Sequence, residues 1–407
     1  MAKSAGGVAF SAFGNQSTVY RISAIALICW ALLHFIFSSS PKDGGMSNEQ
    51  AQTAARIARL RKIDNADVGP DGFKLIVKDH FADYYGAEEC KLQSNKIYNP
   101  MTDREGNMVR EYCPNKQSLL RAMSGGGRIG FDSPYHPLDC EYRWFDPEDI
   151  CMILDRFDAV IFIGEPRMTT HIYAAFNSLL RKNLVWGALK DWELNEPLHK
   201  RCRCEAVYTN NQCGSGASGI SEHFIVDSTE ILEAKDQSMK QGSPYVCNRV
   251  FHAHVSINQE PVPAETVDEI EELLTNYHKT SKPVPIILQQ GLSHAFNWDK
   301  TTKVMDTILQ TVEKHEPNPN HRPFLWLGPT SAGHLKPPGA IIEQGNNALY
   351  HFITELTKRA HDRNFDTLNL YNLTLQAESY DGTMYGQEVS LTTAMMIINW
   401  LSRVESL

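Results

Sequence analysis

Residues 157–182 read FDAVIFIGEPRMTTHIYAAFNSLLRK, and this stretch decides the fold. Positions 157–163 form a short apolar run rich in β-branched residues, which predicts a buried strand. Glycine, glutamate and proline at 164–166 break the run, and from Met168 the apolar residues recur on one helical face. The stretch therefore predicts a strand, a tight turn and a helix. In open α/β folds such a turn lies at the sheet edge where ligands bind, although a plain connection is the simpler alternative.

The remainder of the C-terminal half alternates strands with helices. We predict strands at 250–257, 284–288, 324–327 and 367–371, and helices at 266–278, 303–314, 346–360 and 390–404. Such alternation favours a parallel sheet with helices on both faces. With five strands, the fold class is α/β, a three-layer α/β/α domain of the flavodoxin-like kind. Residues 73–150 carry many turn residues and are predicted to be irregular.

The composition is that of a globular protein, with 42% hydrophobic and 21% charged residues among 407. The formal net charge is −9, and there is no sustained basic run. Both observations argue against a nucleic-acid partner.

Nine cysteines indicate how the chain is stabilised. Cys29 lies in an apolar N-terminal segment, and the other eight predict four disulfides if the domain folds in an oxidising lumen. Reduced, buried thiols are the alternative. A zinc site is an alternative for Cys202, Cys204, Cys213 and His199. The spacing of these residues matches no common tetrahedral pattern, so disulfides are favoured.

Residues 22–37 read ISAIALICWALLHFIF and are apolar apart from Ser23 and His34. A helix of this length spans about 24 Å, somewhat short of the roughly 30 Å hydrocarbon core. We predict a membrane signal-anchor at 22–38, a cytoplasmic tail at 1–21, a stem at 39–72 and a lumenal domain at 73–407. A cleaved signal peptide and a buried soluble helix are the alternatives.

Two histidines, His252 and His254, share one face of the strand at 250–257. A His-x-His pair on a strand is able to bind a metal, but no third ligand is evident. A solvated or hydrogen-bonded histidine face is therefore favoured, and we expect no metal and no cofactor.

Three further motifs lie near predicted strand ends. Residues 379–386 read SYDGTMYG just before the last helix, and 290–292 read QGL after a strand. Residues 324–338 read FLWLGPTSAGHLKPP. Taken with FIGEP at 162–166, these motifs follow one another at the same predicted edge of the sheet.

These motifs resemble those of the SGNH-hydrolase superfamily, whose first block is usually written F-[IV]-G-D-S. The C-terminal run LNLYNLTLQAESYDGTMYG is similar to the end of fungal PC-esterase and capsule-associated proteins. The resemblance spans about 157–400. It implies a serine nucleophile at position 166 and an Asp-x-x-His element at 381–384, with Asp381 orienting the base. It also implies that the backbone N–H of Gly291 contributes to an oxyanion hole.

Two of the implied catalytic positions are replaced in this chain. Pro166 stands at the nucleophile position and Met384 at the base position, while Glu165 replaces the aspartate of the first block. Proline has neither a hydroxyl nor the backbone N–H that an oxyanion hole uses. Methionine has no basic nitrogen. Serine-triad chemistry is therefore predicted to be impaired.

Two rearranged sites are alternatives. In one, Thr169 or Thr170 is the nucleophile and His171, His294 or His334 is the base; the simpler interpretation is that the threonines cap a helix and His171 lies on its surface. In the other, Glu165 and Asp381 act together as paired acids across one cleft. The simpler interpretation of this pair is that it holds hydrogen bonds of the former site.

The resemblance implies a type II single-pass membrane glycoprotein of the Golgi or endoplasmic reticulum of a fungus. Its family is associated with O-acetylation of cell-wall or capsule polysaccharides. We therefore predict a catalytically impaired esterase- or acetyltransferase-like protein. The alternative is a non-catalytic glycan-binding or scaffold protein that partners an active relative. Asn372 begins the sequon Asn-Leu-Thr, which predicts glycosylation in the lumen.

Overall fold

The structure, a computed structural model, describes residues 79–103, 107–181, 183–187, 189, 194–210, 212–213, 246–247, 250–277 and 282–405. The side chains of 167–170 are not among the described atoms. The predicted tail, signal-anchor and stem lie outside the described residues, as do Cys29 and the proposed boundary at 73. No helix in the described part of the chain is both long and apolar enough to cross a bilayer.

A five-stranded sheet forms the centre of the described domain. Its strands are β1 (Ala159–Gly164), β2 (Phe251–Ser256), β3 (Ile286–Gln289), β4 (Phe324–Gly328) and β5 (Phe365–Asn369). Their order across the sheet is β2-β1-β3-β4-β5, and all four pairings are parallel. This order is that of flavodoxin-like folds. The predicted α/β class with a parallel sheet is confirmed.

Helices cover both faces of the sheet. They are α1 (Ser94–Ile97), α2 (Lys116–Gly125), α3 (Pro147–Leu154), α4 (Pro166–Leu180), α5 (Glu196–Arg201), α6 (Ala206–Thr209), α7 (Ala264–Tyr277), α8 (Trp298–His315), α9 (Ile341–Gln344), α10 (Asn346–His361), α11 (Tyr371–Thr374) and α12 (Gln387–Ser402). Short 3₁₀ turns lie at Pro319–His321 and Pro338–Ala340. One layer contains α2, α3, α4 and α12, and the other contains α7, α8 and α10.

The two layers follow from the period-two geometry of β1. Val160 and Phe162 belong to the core beneath α4 and α12, whereas Ile161 and Ile163 belong to the core beneath α7, α8 and α10. Because both faces are covered, every residue of β1 is buried. Each strand of such a sheet is apolar along its whole length, as the sequence of β1 shows.

Three predicted features differ from the structure. Residues 79–150 are not uniformly irregular, because α2 and α3 lie there, and α2 begins with a capping box at Asn115 and Ser118. Strand β5 begins two residues before the predicted position. Helix α8 begins at Trp298, where the Asn297 side chain accepts a hydrogen bond from the Lys300 N–H, rather than at 303.

Four disulfides join the eight cysteines of the domain. The pairs are Cys90–Cys204, Cys113–Cys140, Cys151–Cys247 and Cys202–Cys213. The predicted four disulfides are therefore formed. The three cysteines of the alternative zinc site are all disulfide-bonded, so none of them is a thiolate ligand.

Candidate functional site

A buried carboxylate lies at the carboxyl ends of β1 and β3. Glu165 directly follows β1, is 4% exposed, and its Oε1 accepts three hydrogen bonds. The donors are the N–H of Gly291 at 2.7 Å, the N–H of Ser293 at 2.9 Å and the hydroxyl of Ser293 at 2.8 Å. Burial raises the pKa of Glu165, while these donors act in the opposite direction. We call Glu165, Gly291 and Ser293 the edge site.

The N–H that the resemblance assigns to the oxyanion hole is occupied in the edge site. Gly291 donates it to Glu165. Gly291 also has φ +148°, and an added Cβ would lie 2.7 Å from a ring carbon of Phe352. A glycine is therefore required at this position, and its amide is committed to an internal partner. The oxyanion role of Gly291 stays a prediction.

Pro166 is the first residue of α4, and Glu165 is its N-cap residue. A proline suits this position because its φ is fixed near the helical value and the first N–H of a helix has no intrahelical acceptor. The same N–H is what a nucleophile at this turn would offer to an oxyanion. The structure thus gives Pro166 a helix-starting role at the position where the resemblance implies a nucleophile.

Asp381 lies in a hairpin formed around the bridge between Ser379 and Tyr385. Its Oδ1 accepts the N–H groups of Thr383 at 2.8 Å and Met384 at 2.7 Å. The carboxylate therefore stabilises its own turn, as aspartates commonly do. Asp381 and Glu165 are each held by a different loop, and the alternative in which they act as paired acids is not tested by these bonds.

Met384 lies beside α4. Met384 is buried and lines a small apolar pocket with His171, Ile172 and Thr383. The position that the resemblance assigns to the base therefore faces the helix that follows the nucleophile position.

His171 is not a surface residue, so this prediction is wrong. It is buried, its Nε2 lies 3.4 Å from the hydroxyl of Tyr380, and the two rings are stacked. The hairpin of Asp381, which is distant in the sequence, covers the surface of α4 on which His171 lies. His294 is also buried, and burial lowers its pKa.

The histidine face of β2 is packed against α4. The Nδ1 of His252 lies 2.8 Å from the hydroxyl of Tyr173, and the ring of His254 stacks on the same tyrosine. Burial lowers the pKa of His252 to about 3 and that of His254 to about 4. The face is hydrogen-bonded, one of the two predicted states.

Asn372 has a structural role in the folded domain. Its Nδ2 donates to the carbonyl of Ser124 at 2.8 Å, and Thr374 of the same sequon is fully buried. An N-linked glycan would replace one of the two hydrogens on this nitrogen and leave the other able to make this bond. The glycosylation of Asn372, which is partly exposed, stays a prediction.

Sequence reasoning missed a cavity next to the hairpin, which has a volume of about 370 Å³. We call it the α12 cavity because it lies at the N-terminus of α12. Its lining is Cys90, Lys91, Leu92, Lys96, Arg128, Phe131, Asp132, Glu205, Ala377, Glu378, Tyr380, Gly386, Gln387, Glu388 and Val389. These residues come from five separate parts of the chain, and no local motif joins them.

Charges of both signs surround the α12 cavity. Burial raises the pKa of Glu388, and Arg128 opposes that shift. Burial lowers the pKa of Arg128, and Glu388 is the largest opposing influence. The carboxylate of Glu205 accepts the N–H of Gln387 at 2.8 Å and so caps α12. Within the described residues, no group of three or more His, Cys, Asp or Glu is arranged to hold a metal ion.

The fold and site define an α/β domain with a flavodoxin-like strand order and polar groups at the carboxyl ends of its strands. Among solved structures, the chain is similar to Est24, a carbohydrate acetylesterase from Sinorhizobium meliloti. That match has a TM-score of 0.31 and 10% identity, and it covers 59% of this chain and 96% of Est24. At this level of similarity it carries no argument about activity. No family model and no curated protein matches the sequence.

Proposed function

We propose that the protein is a catalytically silent member of the polysaccharide O-acetyl esterase and acetyltransferase-like SGNH group. In this proposal it binds glycans without converting them, and it is a single-pass membrane protein of the fungal secretory pathway. The observation that carries the proposal is the edge site with the adjacent Pro166: Pro166 offers no nucleophile, and Glu165 accepts the N–H of Gly291.

Three elements of acyl transfer are affected together. A tetrahedral intermediate needs a nucleophilic hydroxyl, a base to take its proton and N–H donors for the oxyanion. Pro166 supplies neither hydroxyl nor N–H, and Met384 supplies no base. The remaining donor is the N–H of Gly291. It would have to release the buried carboxylate of Glu165 before it could bind an oxyanion.

Disulfide bonding supports the proposed compartment. Cysteines 90, 113, 140, 151, 202, 204, 213 and 247 are all paired. Persistent disulfides are typical of secreted and lumenal domains. The proposed signal-anchor agrees with this compartment, although it rests on the sequence alone.

Ester turnover tests the proposal. The full chain, purified in detergent, is assayed on a generic acetyl ester beside its Asp381→Ala variant and a triple variant, Glu165→Asp with Pro166→Ser and Met384→His. We expect the natural chain to match the no-enzyme rate and Asp381→Ala to leave that rate unchanged. Turnover by the triple variant would locate the former site at these positions.

Activity of the natural chain would contradict catalytic silence if Asp381→Ala abolished it. An acyl-enzyme probe then finds the nucleophile, with Thr169 and Thr170 as the first positions to examine by mass spectrometry. Labelling there, lost on His171→Gln, would establish the rearranged site in place of the silent one.

The α12 cavity favours a second candidate function, a scaffold that presents a bound glycan to an active relative. A cavity of about 370 Å³ falls in the size range of ligand sites, roughly 300–1,000 Å³. Co-purification of an active esterase that requires an intact cavity would distinguish this function from simple glycan binding.

A further inference from the structure

The α12 cavity is separate from the positions that the SGNH resemblance implies. Tyr380 lines it, whereas the neighbouring Thr383 and Met384 line the small apolar pocket beside α4. Pro166, Glu165 and Gly291 are not among its lining residues. The hairpin of Asp381 thus borders both spaces, and Val389 lines both of them.

We propose that the α12 cavity binds a neutral, polyhydroxylated oligosaccharide, with Arg128, Gln387 and Glu388 as hydrogen-bonding groups and Phe131 as a stacking surface. Nothing in the triad positions is needed for this binding. The choice of a glycan rests in part on the proposed function, and the test below separates the two.

Arg128 is buried and makes no ion pair within 4.0 Å of a described carboxylate, although Glu388 and Asp132 act on its pKa from farther away. It is 5% exposed, and its Nη1 donates to the backbone carbonyls of Phe131 and Ser133. Its Nε has no hydrogen-bond partner. A buried guanidinium normally pairs with a carboxylate, because removing an unpaired charge from water is costly. This arginine therefore has unused donor capacity beside a cavity.

Gln387 gives a second, independent indication. It is 2% exposed and lines the cavity, and its Nε2 has no partner. A buried amide without a partner costs free energy, and such groups are uncommon in folded proteins unless a ligand or water completes them. Because both unpartnered atoms have almost no accessible surface, a ligand with many acceptors would reach them only after a small rotation of either side chain.

The mixture of charges selects a neutral ligand. Three cations, Lys91, Lys96 and Arg128, face four carboxylates, Asp132, Glu205, Glu378 and Glu388. A polyanion would be placed against the carboxylates and a polycation against the cations, and both arrangements bring like charges together. A hydroxyl donates and accepts, so a polyhydroxylated ligand satisfies both sets.

Phe131 provides the apolar surface that a sugar ring needs. It lines the cavity and remains 56% exposed, which is unusual for a phenylalanine. Sugar rings have an apolar C–H face as well as polar edges, and an aromatic ring is a suitable partner for that face. Ile129, two residues earlier, is 87% exposed and does not line the cavity.

Isothermal titration of the full chain in detergent tests this inference. The probes are neutral xylo-, manno-, cello- and galacto-tetrasaccharides, with oligogalacturonate as the acidic probe. We expect at least one neutral probe to bind and oligogalacturonate to bind more weakly. We expect Phe131→Ala and Glu388→Gln each to weaken binding about tenfold, as truncation of a central contact does. Ile129→Ala, the matched control in the same loop, should stay within about twofold.

Three results would overturn the inference. They are an absence of binding by all neutral probes, binding that neither Phe131→Ala nor Glu388→Gln changes, and tighter binding of oligogalacturonate. Thermal melting of each variant separates lost binding from lost folding, and Phe131 is exposed enough that its substitution spares the core. Ester turnover by the natural chain would contradict the proposed catalytic silence but would leave the glycan-binding result unchanged. The two proposals therefore fail separately.

Discussion

The edge site and the α12 cavity use buried polar groups in opposite ways. In the edge site, one carboxylate oxygen of Glu165 receives three donors within 2.9 Å, and the amide of Gly291 has its partner inside the protein. In the α12 cavity, the Nε of Arg128 and the Nε2 of Gln387 have none. Satisfied networks make a structure rigid, whereas unsatisfied ones reduce stability and leave capacity for a ligand. The comparison indicates that the structural contribution lies at the strand ends and the binding capacity beside α12.

Removing the disulfide that borders the cavity should have the largest effect on stability. Cys90 and Cys204 are 114 residues apart, whereas Cys202 and Cys213 are 11 apart. In the chain-entropy account, Cys90→Ser with Cys204→Ser lowers the free energy of unfolding by about 5 kcal/mol, and loss of the disulfide that closes the shorter loop lowers it by about 2 kcal/mol less. Urea denaturation of both double variants measures the difference, and equal losses would contradict it.

Opening the edge site should have the next largest effect. Glu165→Ala leaves the N–H groups of Gly291 and Ser293 buried without an acceptor. We expect a loss of about 3 kcal/mol in the free energy of unfolding. The matched substitution in the cavity is Glu378→Ala, at an exposed carboxylate, and should cost less than about 0.5 kcal/mol. Similar losses for both carboxylates would remove the distinction between the two regions.

Acidification should weaken the domain through the histidine face of β2. Burial lowers the pKa of His252 to about 3 in the folded state, against 6.5 as the ordinary value. The unfolded state therefore binds the proton first, so this contribution to stability is complete above pH 6.5 and falls as the pH falls toward 3. The slope is about 1.4 kcal/mol per pH unit, or about 2 kcal/mol between pH 6.5 and 5.

His252→Asn is the control for this pH dependence, because an amide can still bond to the hydroxyl of Tyr173. The variant should lose stability less steeply between pH 6.5 and 5 than the natural chain. Denaturant midpoints at half-unit pH intervals measure both slopes. Parallel slopes would show that His252 does not carry the effect.

Filling the unsatisfied position of the cavity should have the smallest effect, and it should be stabilising. Gln387→Leu replaces a buried amide whose Nε2 has no partner with an apolar side chain of similar size. We expect the free energy of unfolding to rise by about 1 kcal/mol. Binding of the neutral tetrasaccharides should weaken in the same variant. A loss of stability would show that Gln387 is satisfied in the folded protein.

The sequence predicts the sheet better than it predicts the sites. Apolar β-branched runs such as 157–163 specify buried strands through local periodicity, and the helices between them follow from the same signal. The start of α8 was missed because its cap, Asn297, is a single residue. The edge site depends on a bond across 126 residues, between Glu165 and Gly291, which no local pattern specifies.

The α12 cavity could not be predicted for the same physical reason. Arg128 and Gln387 come from distant segments, and each side chain is unremarkable in its own stretch of sequence. Gly127, next to Arg128, pairs with His136 in a short bridge, a contact that the local sequence does not specify. Burial and missing partners, which identify both residues, are properties of the folded chain.

The position of Pro166 affects how the protein is able to evolve by single mutations. A proline at the first residue of α4 restricts the unfolded chain and suits the helix start, so Pro166→Ser alone should cost up to about 1 kcal/mol of stability. That substitution would restore a hydroxyl but no base, since Met384 is still present. Under the proposed function, a mutational path to catalysis therefore begins with a loss of stability and no gain in activity, which makes the proposed silent state difficult to leave by single steps.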